Sequence, residues 1–508
     1  MNFPVWELEM GGGLLIAIVA VFHVYISHFA IGGGFFLVIT EHAAYKNDDQ
    51  GLIKYLKMHS RFFALVTLVL GALSGVGIWF TIGLVSPAAT SALIRTFVWA
   101  WAIEWVFFFV EIAAALFYFM TWERVTRNIH LAIGWIYFAA SFLSLVAING
   151  IITFMLTPGE WLNTRDFWDG FLNPTYWPSL IARTAICIAL AGIYALLTGQ
   201  FVKKKTKKEW LIRYAGIWSL AGILLAAPAM WWYYKLLPEG SSDLIAGVIP
   251  ATSVTVTFLG WSSLALIILL LFPVILPKKF SLNFAVFIAL VGLVTFGASE
   301  RIRETLRKPY IIYGYMYGNS LKPEEYEIIR ENGGILAGAQ WIRNREQRED
   351  SLAGREVFRV ACRGCHTVDG YMGLSSPMSG LDEEFIYGLV RRLEYLRGKM
   401  PPFPGTETEA RAVAAFLFNQ SEPTELTTGE NVYEKRCGFC HSVDGALRPM
   451  NLIMEGLTDE DIGEILPFLG DLVEGMPGWT GSDEEAELLI GYIRSWYTTD
   501  EDETEGGR

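Results

Sequence analysis

Cysteine is scarce in this chain, with five in 508 residues. Four of them fall in two copies of one short pattern. The fifth, Cys187, lies in an apolar run, where a thiol behaves as a small core residue. Disulfides are therefore not implied. A basic stretch ahead of the first apolar run is also lacking. Glu7 and Glu9 stand there instead, so that run does not read as a cleavable signal. Net positive charge is absent overall: the formal charge is −12, which argues against a nucleic-acid partner.

The cysteines that are present are informative. Cys362-Arg363-Gly364-Cys365-His366 and Cys437-Gly438-Phe439-Cys440-His441 are C-x-x-C-H, the attachment signature of a c-type haem. The two thiols can add to the haem vinyl groups, and the adjacent histidine then reaches the iron from one face. Met400 and Met476 are the candidates for the opposite face. Each opens a Met-Pro segment, at nearly the same distance beyond its histidine. His/Met ligation raises haem potential in electron-transfer cytochromes. A chance match, a zinc site or a thioredoxin-like pair could explain one copy, but two copies with matching Met-Pro segments leave little room for those readings.

Both segments resemble small class I cytochrome c domains, 350–421 and 427–499. Each begins with a helical approach (Gly354 to Phe358, Gly429 to Tyr433) and ends in an apolar-periodic helix (Ala410 to Phe418, Glu484 to Trp496). An internal duplication is the simplest account.

A much larger block precedes them. The hydrophobic content of 53% indicates a membrane protein, and eight apolar runs are long enough to cross a bilayer: 13–40, 62–85, 93–120, 131–156, 180–201, 215–236, 253–276 and 282–298. The expected fold is therefore all-α, a polytopic bundle of eight spans followed by two small helical cytochrome domains. The charge divides unevenly, with 36 acids against 18 bases from Leu321 onward and about +6 before it. Lysine and arginine gather after the first, third, fifth and seventh spans, notably at Lys203, Lys204, Lys205, Lys207 and Lys208. By the positive-inside rule both termini lie outside the cytoplasm, the side on which bacteria attach c-type haem. A bacterial cytoplasmic membrane is the expected location. Residues 316–349 read as a polar connector lying over that outer surface, within a polar stretch that begins at Arg301, and 500–508 as a disordered acidic tail.

Ionisable residues within spans are costly and so are functional candidates. They are His23 and His28 in the first span, Glu104 and Glu111 seven apart on one face of the third, His130 opening the fourth, Arg183 in the fifth, and Glu300 and Glu304 at the end of the eighth. For any single one, a satisfied polar group in a bundle is an equal alternative.

Over roughly residues 10–315 the pattern resembles subunit I of the cytochrome bd quinol oxidases, so that 1–315 reads as one membrane domain. Phe22-His23 followed by Gly32-Gly33-Gly34 matches that family's first-helix haem-ligand histidine. Ala102-Ile103-Glu104 through Glu111 to Trp122-Glu123-Arg124 matches its third helix, with the second proton-path glutamate one residue early. Glu304-Thr305-Leu306-Arg307-Lys308-Pro309-Tyr310 is similar to the segment whose glutamate ligates a high-spin b haem.

The resemblance implies one or two b- or d-type haems held by His23 and Glu304, a proton path through Glu104 and Glu111, and a second membrane subunit of the bd subunit II type. The departures matter too. Arg183 stands where the family's low-spin haem has a histidine, and its methionine partner on the seventh span is not evident. The quinol loop shrinks to 237–248, and the ninth span gives way to the cytochrome domains. Arg183 cannot bind iron and needs a partner of its own: a propionate, a carboxylate or a lipid head group. His28, about 140° around the helix from His23, faces a different neighbour and is the fallback ligand.

Two functions follow. One is a bd-like oxidase fed through its cytochrome c domains by a periplasmic cytochrome c or another redox partner. The other is a non-catalytic electron-transfer or anchor subunit of a larger respiratory complex. A transporter would call for broken-helix repeats, of which there is no sign.

Overall fold

The computed structural model describes residues 5–238, 241, 245, 250–339, 350–396, 399–445, 448–473 and 475–497. The connector beyond 339 and the acidic tail lie outside the described residues.

The long apolar runs fold as helices because a bilayer offers backbone groups no hydrogen-bond partners, so each segment must satisfy its own. Eight helical segments are long and apolar enough to cross a membrane. They are α1 (Gly12–Lys46), α2 and α3 (Gln50–Ala64 and Ala72–Val85, joined by a π-helical stretch Leu65–Gly71), α5 (Val98–Met120), α6 (Arg127–Phe154), α7 (Tyr176–Gly199), α8 (Lys205–Lys235), α9 (Pro250–Ile275) and α10 (Leu282–Arg307). A short α4 (Pro87–Thr96) links the second and third spans.

Three helices outrun their apolar stretches. α1 continues past Thr40 to Lys46, and α2 begins at Gln50, where the Asp49 carboxylate accepts from the Leu52 amide. α10 runs on to Arg307, beyond the expected end near 298, because Glu300–Arg303, Glu304–Arg307 and Glu304–Lys308 pair at i+3 and i+4.

α1 is the central helix of the membrane block and packs on α7 where Gly32 meets it. A Cβ on Gly32 would lie 1.8 Å from the Cys187 carbonyl oxygen, so only glycine admits this approach. Beyond α10 a two-stranded hairpin (Tyr310–Ile312 with Met316–Tyr317) caps the same end of the bundle, where Ile312 and Met316 pack with Phe97, Phe154 and Trp161.

The two small domains repeat one plan. α11 (Asp350–Val357) crosses α13 (Glu407–Gln420) in the first domain, and a short Gly429–Val432 helix crosses α15 (Asp483–Ser495) in the second. At each crossing a glycine lets backbones touch: a Cβ on Gly354 would sit 1.9 Å from the Ala412 carbonyl oxygen, and one on Gly429 would sit 2.1 Å from that of Leu488. α12 (Glu383–Val390) of the first domain and α14 (Asp459–Ile465) of the second complete the set used below.

Candidate functional site

Each C-x-x-C-H is entered through a π-helical stretch, Phe358–Cys362 and Tyr433–Cys437. The Arg363 amide reaches back to the Phe358 carbonyl at 3.0 Å, and that of Gly438 to Tyr433 at 2.8 Å. The turn that follows is the same in both. Cys365 and His366 donate to the Cys362 carbonyl (3.1 and 2.9 Å), and Cys440 and His441 to that of Cys437 (3.0 and 2.9 Å).

His366 Nδ1 then lies 3.0 Å from the Met372 carbonyl, and His441 Nδ1 lies 3.0 Å from that of Arg448. A carbonyl only accepts, so Nδ1 carries the proton and Nε2 keeps its lone pair. This is the arrangement of a metal-ligating imidazole. Nε2 of His441 is buried with no partner, the atom left over for iron. Burial lowers the pKa of both imidazoles and so keeps them neutral. It pushes the Cys362 and Cys437 thiols up to about 12, which disfavours the thiolates a zinc site requires.

In the second domain an open cavity is lined by Cys437, Cys440, His441, Met450, Met454 and Met476. Three thioethers therefore reach this cavity, Met476 among them. In the first domain Met400 and Cys362 both pack against the same core, of which the buried Met378 is a member. The donor sets fit covalent haem in both domains.

The second cavity is shared between the domains. Phe385 and Leu389 of α12 form part of its wall, and Phe439 and Cys440 pack into the first domain's core. Arg436, 9% exposed, clamps the pair: Nη1 lies 3.3 Å from Asp382 Oδ2 across the interface, and Nη2 lies 2.7 Å from Glu485 Oε2 within its own domain.

The first domain in turn sits on the hairpin end of the bundle. Glu7 pairs with Arg359 and Arg363 (3.4 and 3.3 Å), and a Cβ on Gly318 would fall 2.9 Å from Cys365 Sγ. Lys308 Nζ is 3.1 Å from Glu304 Oε1 and 3.9 Å from Cys365 Sγ. Glu304 also pairs with Arg307, yet each carboxylate oxygen has more than one lone pair, so a free acceptor position remains.

His23 Nδ1 is 3.1 Å from Ser74 Oγ, whose own proton goes to the Leu70 carbonyl at 2.6 Å. Ser74 thus accepts and His23 Nε2 is left with its lone pair, so His23 fits an iron ligand. The π-helical stretch just before Ser74 shapes this contact, as such stretches often do at functional sites. No hydrogen bond or ion pair joins His23 to Glu304 among the described residues.

His28 is 2% exposed, with Nδ1 2.7 Å from the Val24 carbonyl and Nε2 without a partner. Arg183 finds a carboxylate, Glu300, at 3.6 Å, while Arg303 holds the other oxygen of Glu300 at 2.8 Å. Glu104 Oε1 accepts from Ser144 Oγ at 3.0 Å, and Glu111 Oε1 lies 3.2 Å from the Tyr137 hydroxyl.

Two buried groups carry no flag in the sequence. Glu41 and His59 are both 0% exposed, yet each lies just past the edge of an apolar run among residues that read as loop. Glu41 bonds His130 Nδ1 and the Tyr118 hydroxyl, each at 2.6 Å. His59 Nδ1 meets Thr198 Oγ1 at 2.8 Å, with Nε2 left unpartnered.

Residues 14–234 match the family model of cytochrome bd terminal oxidase subunit I. Residues 349–417 and 424–493 each match that of cytochrome c oxidase, cbb3-type, subunit III. Cbb3-type cytochrome c oxidase subunit CcoP of Helicobacter pylori (strain 52) is 24% identical over 152 residues, 27% of this chain and 51% of the relative. The same subunit from strain ATCC 700392 / 26695 is likewise 24% identical, with 52% of its length covered. The chain thus spans about half the length of the curated relatives it matches. The structure of bd oxidase from Geobacillus thermodenitrificans aligns at a TM-score of 0.52 and 14% identity, over 60% of this chain and 88% of that one, a likeness of fold.

Proposed function

Since this chain joins a membrane domain like subunit I of cytochrome bd oxidase to two c-type cytochrome domains, we propose that it is the haem-bearing subunit of a c-linked, bd-like oxidase. It takes electrons at its cytochrome domains and delivers them to the membrane domain for oxygen reduction. It is an integral membrane protein of respiratory electron transfer. Both termini and both cytochrome domains lie on the periplasmic side, the assignment that the lysines after alternate spans support.

The observation that carries this reading is the seat of the first haem motif on the bundle. Lys308 reaches both Cys365 of that motif and Glu304 at the end of α10. Cys362 and Cys365 with His366 and Met400, and Cys437 and Cys440 with His441 and Met476, would hold two haems c. His23 and Glu304 would hold the one or two membrane haems. Haem supplies one-electron transfer at these sites and, where iron keeps an open position, oxygen binding. Arg436 fixes the second domain on the first, and Glu7 fixes the first on the bundle, so the three parts hold one order. Glu104 and Glu111 would carry protons inward. The exposed apolar face of α5, with Trp99 at 72% and Phe109 at 75%, suits lipid or a second membrane subunit.

One observation favours the non-catalytic electron-transfer subunit instead: Glu304 is already clasped by two cations, Arg307 and Lys308. Reduced-minus-oxidised and CO-difference spectra of the purified protein separate the two. A CO-reactive high-spin haem in addition to the c bands is expected. Bands of haem c alone would sink the oxidase reading.

A further inference from the structure

The two cations that hold Glu304 point in different directions. Arg307 takes Oε2 and places its Nη1 3.4 Å from Met155 Sδ, at the end of α6. Lys308 takes Oε1 at 3.1 Å and lies 3.9 Å from Cys365 Sγ, on the side of the first haem motif. Two positive charges on one carboxylate leave this group at +1, and the member that faces Cys365 is a cation.

The surroundings neither cancel that charge nor open it to water. On the other flank of the motif Arg359 and Arg363 meet Glu7, and Arg359 also meets Glu356, so two cations balance two carboxylates there. The hairpin closes over the Lys308 side. The Gly318 amide donates to the Pro309 carbonyl at 2.9 Å, and a Cβ on Gly318 would fall 2.9 Å from Cys365 Sγ and 3.9 Å from Lys308 Nζ. A Cβ on Gly364, inside the motif, would lie 3.1 Å from the Gly318 carbonyl oxygen. Lys308 is 29% exposed in this seat.

Covalent attachment makes Cys365 Sγ a thioether of the porphyrin, so a charge that lies against this sulfur lies near the haem edge. Ferric haem carries one more positive charge than ferrous haem, and a fixed cation in a covered site therefore favours the ferrous form. The matching cysteine of the second motif has a different neighbourhood. Cys440 is 8% exposed and packs with Phe439 into the apolar core of the first domain.

We propose that Lys308 sets how an electron is shared between the two haems c, raising the potential of the first so that the electron settles at the joint with the bundle. One electron leaves the ferrous second haem and reduces the ferric first haem, with no bond made or broken. The inference rests on the two haems c of the proposed function and not on where electrons go afterwards.

The test is a spectroelectrochemical titration of the purified full-length protein, in which the first haem is the component whose midpoint moves in Met400→His. Lys308→Met should shift the equilibrium between the haems about tenfold toward the second, which is a fall of about 59 mV in the first haem's midpoint with the second unmoved. Lys308→Arg keeps the charge and should keep most of the wild-type midpoint. The shift should persist in 1 M salt, where the Debye length is about 3 Å, because the ammonium is largely covered. If Lys308→Met loses the first haem's spectrum, Lys308→Gln is titrated in its place with the same expectation. An unmoved first midpoint with intact c bands, or an equal fall in both haems, overturns the role of Lys308. Absence of a CO-reactive haem overturns the oxidase reading instead, and the titration still decides the role of Lys308.

Discussion

A thioether at the sixth position of iron favours the ferrous state, whereas a second imidazole donates more and favours ferric iron. Met476→His should therefore lower the potential of the second-domain haem, and Met400→His that of the first, each seen as a downshifted midpoint in a spectroelectrochemical titration. Met450 and Met454 also line the second cavity. An unmoved potential in Met476→His, with a shift on replacing either neighbour, would reassign that ligand. Arg183 makes a different case. Its ion pair with Glu300 is buried, but Arg303 grips the same carboxylate, so Arg183→Leu leaves no isolated charge. The loss should be modest, about 1–3 kcal/mol, rather than the 3–5 typical when a buried charge loses its only partner. Thermal unfolding in detergent would register it.

Elements are held here by glycine at crossings and by arginine at domain joints. Gly32 sits against the backbone of α7, so Gly32→Leu must push α1 away from it. A destabilisation of about 1–3 kcal/mol or more is expected, and a lowered unfolding midpoint would report it. Arg436 bridges Asp382, the N-cap of α12, and Glu485 of α15. Arg436→Leu removes the cation that the two carboxylates share, though Asp382 keeps the Thr480 hydroxyl, and loosens the wall that Phe385 and Leu389 contribute to the second cavity. Electron exchange between the two cytochrome domains should slow in rapid-mixing experiments, with each haem spectrum intact. An unaltered exchange rate would mean that apolar packing alone sets the joint.

At the scale of the whole molecule, charge separates along one axis. Lysines and arginines crowd one end of the bundle, whereas the second cytochrome domain is strongly acidic, with eleven acids and one base across 449–497. Asp459, Glu460, Asp461 and Glu464 are exposed beside exposed Leu452, Ile453, Phe468 and Leu472. That surface suits a basic, soluble electron donor that docks briefly. Reduction of the haems c by a lysine-rich cytochrome should slow steeply as salt rises toward and beyond 0.1 M, where the Debye length is about 10 Å. A small neutral reductant should show no such trend. A periplasm-dependent reporter fused after Arg508 should be active and one fused after Lys205 silent. The reverse would overturn the assigned sidedness.

The covalent pattern and the solvent determined much of this protein before any tertiary contact formed. C-x-x-C-H with a following Met-Pro is local chemistry, legible in order along the chain, and so is its duplication. The need of each apolar run to satisfy its own backbone in lipid makes the eight spans readable from composition. Their ends were not readable in this way, because Glu300, Glu304 and Asp49 extend or start helices through local charge pairs and caps that hydropathy ignores. Arg183 announced that it needed a partner, but which one was decided by α10 packing against α7. Glu41 and His59 were invisible as buried groups, since burial at a span's edge depends on which helix covers it. The domain joint at Arg436 and the seat of Cys365 beside Lys308 have no sequence signal at all. They join residues 54 and 57 positions apart, and only folding in three dimensions brings such pairs to one place.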